Sequence, residues 1–224
     1  MAIIQLDGPR RGPRGGGVPD SLVLLLHGVG ADGRDLIDLA SRWADALPGA
    51  LFVAPDAPFP HDQAPPGWPG RQWFSLAEWF ARPDRDPAVL VPGLRRAADL
   101  LDGFLDAEMA RLALAPGRCA LMGFSQGAMT ALFAGLRRPV PPAGVLAYSG
   151  ALAGVAATPR AAPPVLLVHG EADDVVPVAA SRAAEAALRR IGLPVEAHYT
   201  PGLGHGIDEA GLLAGARFLR RVLG

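Results

Sequence analysis

Residues 119 to 130 read CALMGFSQGAMT, an apolar run that stops at Ser125 between Gly123 and Gly127. With 28 glycines and 6 serines among 224 residues, G-x-S-x-G is expected by chance about 0.1 times in the chain, so its surroundings must decide its meaning. Before it stands a short buried-strand pattern and after it SQGAMTALFAGLRR, a helical one. A serine at such a strand-to-helix turn is held in a tight conformation, and small residues on both sides let neighbouring backbone pass close by. The plainer reading is a helix N-cap serine after a glycine turn.

The same alternation extends in both directions. SLVLLLHG (21–28) is a continuous apolar run of the kind buried on both faces of a parallel sheet. Residues 34–47 place Leu36, Leu39, Ala40, Trp43 and Leu47 at helical spacing, and ALFVAPD (50–56) is a strand closed by proline. A loop follows with six prolines from Pro55 to Pro69 and with Trp68, Trp73 and Phe74 nearby. A helix is predicted from about Val89 to Leu114 on the stripe Leu94, Ala97, Leu101, Leu105 and Met109. Then come strands AGVLAYSG and PPVLLVHG, the helix PVAASRAAEAALRRIG, the strand PVEAHYTPG and the helix DEAGLLAGARFLRRVL. Alternating strands and helices predict an α/β fold, a mostly parallel twisted sheet with helices on both faces. Residues 1–20, rich in Gly, Pro and Arg from position 8, read as a flexible N-terminal segment, and 21–224 as one domain.

Composition narrows the function. The chain is 50% hydrophobic and 19% charged with a formal charge of -1 and no basic block, so no nucleic-acid or anionic-membrane partner is expected. Every basic side chain that is not histidine is arginine, because the sequence has no lysine. Cys119 is the single cysteine, which excludes an internal disulfide and a cysteine metal cluster and reads as a small core residue. No segment has the length of a membrane span or the pattern of a signal peptide, and the expected location is cytoplasmic.

In an open parallel sheet, reactive groups gather at the carboxyl ends of the strands. A nucleophilic Ser125 needs a base and an orienting acid, expected in the chain order serine, acid, histidine. EADDVVP after VLLVHG offers Glu171, Asp173 and Asp174, and His205 lies in the glycine-rich loop TPGLGHG before the last helix. His27 and His169 end strands, His198 lies within one and His61 sits in the proline-rich loop, so these four read as structural. The oxyanion of an acyl transfer needs donors, for which the amide of Gln126 and that of Val29 in HGVGADG are placed. GVGADG does not fit a dinucleotide fingerprint, and a Walker loop would require lysine.

LLLHGVGADG, RQWF, GFSQGAM, HGEADDVVP and GLGHGI together resemble the phospholipase/carboxylesterase family of α/β-hydrolases from about Ser21 to Leu223. The resemblance implies the α/β-hydrolase fold and a nucleophile at Ser125. It assigns the acid to Asp173 through the HG-x-x-D match, the base to His205 and the oxyanion amides to Val29 and Gln126. It further implies substrate contacts at Trp73, Phe74 and Leu203, no metal or cofactor, a small-molecule ester substrate and, as in many members, a homodimer. The first loop differs from the HGLGDTG form of the acyl-protein thioesterase branch, which favours small esters. Few residues separate Gly150 from Pro163, so no large cap domain is expected. The expected function is therefore a serine carboxylesterase for short- to medium-chain esters. An acyl-protein thioesterase or lysophospholipase, and a non-catalytic binding protein on the same fold, are the alternatives.

Overall fold

A computed structural model describes residues 5–83, 86–154 and 162–224. Six parallel strands and one antiparallel edge form the main sheet: β1 (Arg10–Arg11), β2 (Ser21–Leu26), β3 (Ala50–Val53), β6 (Cys119–Phe124), β7 (Gly144–Tyr148), β8 (Val165–Gly170) and β9 (Val195–Thr200). Their spatial order is β1-β3-β2-β6-β7-β8-β9. A separate pair, β4 (Phe59–Pro60) and β5 (Arg71–Gln72), staples the ends of the proline-rich loop. The order reverses at β2, whose neighbours are β3 on one side and β6 on the other, and this opens the crevice where an α/β sheet holds its ligand.

Strand alternation builds two cores. Leu22, Leu24 and Leu26 point to one face with Cys119, Leu121, Val145 and Ala147, while Val23, Leu25, Met122, Leu146 and Tyr148 point to the other. The first face is covered by α3 (Val91–Arg111), α4 (Gln126–Arg137) and α5 (Val178–Arg190). The second is covered by α1 (Leu39–Trp43) and α6 (Glu209–Leu223). This two-sided burial explains why the central strands are continuously apolar. The β7–β8 connection spans only residues 149–164, too short for a cap domain.

Three expectations need correction. The segment read as flexible contributes an edge strand, with Arg10 opposite Val53 and Arg11 opposite Phe52, and buries Leu6. Arg10 also pairs with the buried Glu108 on α3, a long-range anchor that local composition could not reveal. The helix read over 34–47 is a 3-10 turn (Gly33–Asp35), capped by the Asp32 side chain, followed by the five-residue α1. Leu36, Ala40, Trp43 and Leu47 are nonetheless buried as their spacing implies. The helix read from Val89 begins as a 3-10 turn at Pro87–Leu90, and α3 starts at Val91 with Pro92 in its first turn, where a missing N–H costs nothing.

Beside the proline-rich loop lies α2 (Ala77–Ala81), an element not expected from the sequence.

Candidate active site

Ser125 sits between β6 and α4 at φ 54° and ψ −117°, a conformation that costs a non-glycine residue on the order of 1–3 kcal/mol. Its N–H donates to the Tyr148 carbonyl (2.8 Å), and its own carbonyl accepts from the amides of Ala128 and Met129. The glycines allow this geometry by close approach. A Cβ on Gly127 would lie 2.5 Å from the Leu26 carbonyl carbon and closer still to its oxygen. One on Gly123 would lie 2.5 Å from the Ala128 nitrogen and closer to the Gly127 carbonyl. Strand β2, the turn and the first residues of α4 therefore pack backbone to backbone.

Gln126 holds the adjoining loop. Its side-chain amide donates to the Phe74 carbonyl and accepts from the Trp73 N–H, each at 2.8 Å. As the first residue of α4, its own backbone N–H precedes the helix's hydrogen-bond ladder. Val29 stands in the loop after β2, which is clamped by Gly30 N–H to the Arg71 carbonyl (2.8 Å) and Arg71 N–H to the Ala31 carbonyl (2.9 Å).

Asp173 and His205 come from the loops after β8 and β9. The Nδ1 of His205 lies 2.7 Å from Oδ2 of Asp173, whose Oδ1 accepts from the amides of Val175 (2.9 Å) and Val176 (2.8 Å). Burial pushes the Asp173 carboxyl up, but the His205 bond and the two amides outweigh it and hold it below the ordinary range. Glu171 is instead exposed beside Arg182, and Asp174 is exposed. The two loops are tied together by Ala172 N–H to the Leu203 carbonyl (2.9 Å). Gly170 makes room for this, since a Cβ there would lie 2.5 Å from the Gly204 oxygen. The His205 ring packs beside Phe124, with centroids 4.8 Å apart, which puts the imidazole next to the turn that carries Ser125.

A cavity of about 590 Å3 opens at Ser125, within the size range of small-molecule sites. Val29, Ser125 and Gln126 are among the residues that line it. Leu76, Trp79 and Phe80 from α2 and its start contribute to its wall, as do Ala180, Ala183 and Ala187 on α5. These wall residues were not singled out from the sequence, although LAEWF does carry apolar residues at helical spacing.

The expected substrate contacts at Trp73, Phe74 and Leu203 do not line this cavity. Trp73 and Phe74 are 0% and 2% exposed; the Trp73 indole donates to the His27 carbonyl (2.9 Å), and Phe74 packs against Gly93. Both anchor the loop to the body, and Leu203 serves through its carbonyl. His27 is buried, its Nε2 accepting from the Ala57 amide (3.0 Å) and its Nδ1 lying 2.7 Å from the Gly28 carbonyl; burial keeps its pKa below the ordinary value. His198 pairs with Thr200 in β9. Cys119 is buried, which raises its thiol pKa to about 11. Among the described residues, no group of three or more metal-ligating side chains is placed to hold an ion, and no helix is long and apolar enough to cross a membrane.

The profile of the phospholipase/carboxylesterase family matches residues 15–223. The chain belongs to that family. Within it, acyl-protein thioesterase 1 of Schizosaccharomyces pombe is 29% identical over 209 residues, covering 90% of this chain and 91% of that protein. Esterase YpfH of Escherichia coli is 29% identical over 206 residues, covering 90% and 83%. Among solved structures, esterase PE8 superposes with a TM-score of 0.88 at 41% identity, covering 98% of this chain and all of the other. The fold is thus the α/β-hydrolase fold, and the family makes the chain a hydrolase of the serine type.

Proposed function

We propose that this α/β-hydrolase is a carboxylesterase that cleaves short- to medium-chain esters with Ser125 as nucleophile, His205 as base and Asp173 as the acid that orients it. The observation that carries the reading is the pairing of His205 with the buried Asp173 carboxylate beside the strained turn that presents Ser125 to the apolar cavity.

In the first step His205 accepts the Ser125 proton while the oxygen attacks the ester carbonyl. The oxyanion takes hydrogen bonds from the Val29 and Gln126 amides, each worth ~3 kcal/mol in the transition state. Collapse expels the alcohol, which takes the proton from His205 and leaves an acyl-enzyme. Water, deprotonated by the same histidine, attacks that ester, and proton return to Ser125 releases the acid. Asp173 keeps Nδ1 protonated, so the other ring nitrogen is the one that exchanges protons. The acyl chain enters the cavity between α2 and α5, whose alanines leave room for an unbranched chain.

Hydrolysis of p-nitrophenyl esters from acetate to palmitate, beside Ser125→Ala and Asp173→Asn, tests this. The reading expects a maximum at short or medium chains and a loss of at least ~10³-fold in each variant. Full activity in either variant contradicts it. A thioesterase reading has support from the apolar cavity and the fission-yeast relative. Matched ester and thioester substrates separate the two, because faster turnover of the thioester favours the second.

A further inference from the structure

The strand-end histidine His169 lies directly against the acid. Its ring and the Asp173 carboxylate are both fully buried, with Nε2 of His169 3.1 Å from Oδ2 of Asp173. The same nitrogen is 2.8 Å from the Val176 carbonyl. A nitrogen facing a carboxylate and a carbonyl must carry the hydrogen, so Nε2–H donates to the Val176 carbonyl, with the carboxylate oxygen that receives His205 beside it. On the other side of the ring, Nδ1 lies 2.6 Å from the Ser181 hydroxyl on α5, which is 3.2 Å from the Gly150 carbonyl. Gly150 in turn abuts the Ser125 turn, since a Cβ there would lie 3.3 Å from the Ser125 carbonyl oxygen and 2.5 Å from the Ala128 side chain.

We infer that His169 is a positioning residue that holds the Val176 peptide, whose N–H donates to Asp173, and through its contact with Ser181 braces the acid loop against α5. This rests on the assignment of Asp173, His205 and Ser125 above. The Asp173 carboxylate has three donors, His205 and the Val175 and Val176 amides, and the N–H edge of His169 stands 3.1 Å from its Oδ2. The two amides fix the carboxylate, and the imidazole of His205 leads on toward Ser125. Val176 also lines the cavity, so the His169 bond to its carbonyl holds the acid and the cavity wall in one unit.

The surroundings of this pair define what its titration can sense. From the loop after β9, His205 faces Asp173; from α5, Ser181 faces His169. From β9, Tyr199 stands in register with His169, but its hydroxyl donates to Glu185 (2.8 Å) and Arg182 lies over its ring. Removing the His169 ring takes the positive edge of its N–H from beside Oδ2 and leaves more of the carboxylate's charge directed at His205. The imidazolium is then held more firmly, and the acid limb of kcat/KM against pH moves upward.

The test uses His169→Leu, which removes both ring nitrogens, and His169→Gln, which returns an N–H near the position of Nε2. On p-nitrophenyl butyrate, His169→Leu is expected to lower kcat ~10–100-fold, the range for outer-shell partners, with KM within about twofold of wild type. Its acid limb should rise by about half a pH unit, and His169→Gln should recover most of kcat and return the limb toward wild type. A folded His169→Leu protein with wild-type kcat and an unmoved limb overturns the inference. So does a loss of kcat that merely follows the fraction of Ser125 titratable by a fluorophosphonate. If His169→Leu does not fold, Ser181→Ala decides: a reduced kcat with the same upward movement of the limb supports the brace, and an unchanged profile rejects it. Asp173→Asn and Ser125→Ala run alongside. Activity surviving in those two overturns the triad itself, whereas their inactivity with an unaffected His169→Leu overturns only the role of His169.

Discussion

Replacing Gly127 by alanine tests the backbone packing that presents Ser125. The added Cβ would stand 2.5 Å from the Leu26 carbonyl carbon and 2.7 Å from the His27 oxygen, where ordinary contact begins at 3.4 Å. The start of α4 must therefore retreat from β2 by at least about 0.9 Å to clear the Leu26 carbonyl carbon, and further to clear its nearer oxygen, against main chain. Overpacking of this kind costs about 1–3 kcal/mol, and rigid backbone neighbours put Gly127→Ala at the upper end, about 3 kcal/mol. For a chain of this size that lowers Tm by about 6–12 °C. A nucleophile displaced by about 1 Å or more also loses on the order of 10²-fold in kcat. The control is Gly103→Ala in α3, where the added Cβ meets nothing within 4 Å. Helix propensity then makes the control more stable by ~0.5–1 kcal/mol with activity unchanged. Thermal melts and p-nitrophenyl butyrate turnover of the two variants give the readout. A Gly127→Ala protein with wild-type Tm and kcat would refute the close-packed turn.

The remaining predictions concern separate parts of the molecule. Trp73→Phe should destabilise by about 1–2 kcal/mol, because the buried His27 carbonyl loses its indole donor, while KM for short esters stays within twofold; a large KM change in a stable protein would return Trp73 to the substrate wall. Cys119, with its thiol raised to about 11, should resist Ellman's reagent in the native protein at pH 8 and react only on unfolding. Asp173 is held below its ordinary value of 3.8, so the stability from its charged form is complete above that value and is lost as pH falls through the lower folded value. The stability difference between wild type and Asp173→Asn, followed by denaturant melts, should therefore shift against wild type below about pH 4. Arg138→Ala should cost about 1–2 kcal/mol by leaving the partly buried Asp102, whose carboxyl burial already raises, with Arg137 alone; chemical denaturation measures it.

Much of the architecture is legible in the chain because it depends on local pattern. Continuous apolar strands, helical spacing and the strand-end positions of Ser125, Asp173 and His205 are properties of short segments. Their chain order then suffices to bring them to one edge of a parallel sheet. What escaped depends on contacts between distant segments. The edge pairing of Arg10–Arg11 needs β3 and Glu108, and neither is visible in a Gly/Pro/Arg-rich stretch. Trp73 and Phe74 carry the family's aromatic motif, but the Gln126 side chain and the carbonyl of His27 turn them inward. The cavity wall falls instead to Leu76, Trp79 and Phe80, a few residues on, in a helix too short to announce itself by periodicity. His169 reads as a strand-end residue until the fold sets Asp173 and Ser181 on either side of its ring.

The most direct test of the central claim is to label the folded protein with a fluorophosphonate and locate the adduct by peptide mass spectrometry while following ester hydrolysis. The account predicts one adduct, on Ser125, forming in step with the loss of activity and absent in Ser125→Ala. Ester hydrolysis that persists in a protein fully labelled at Ser125, or an inactivating adduct on another residue, would contradict it.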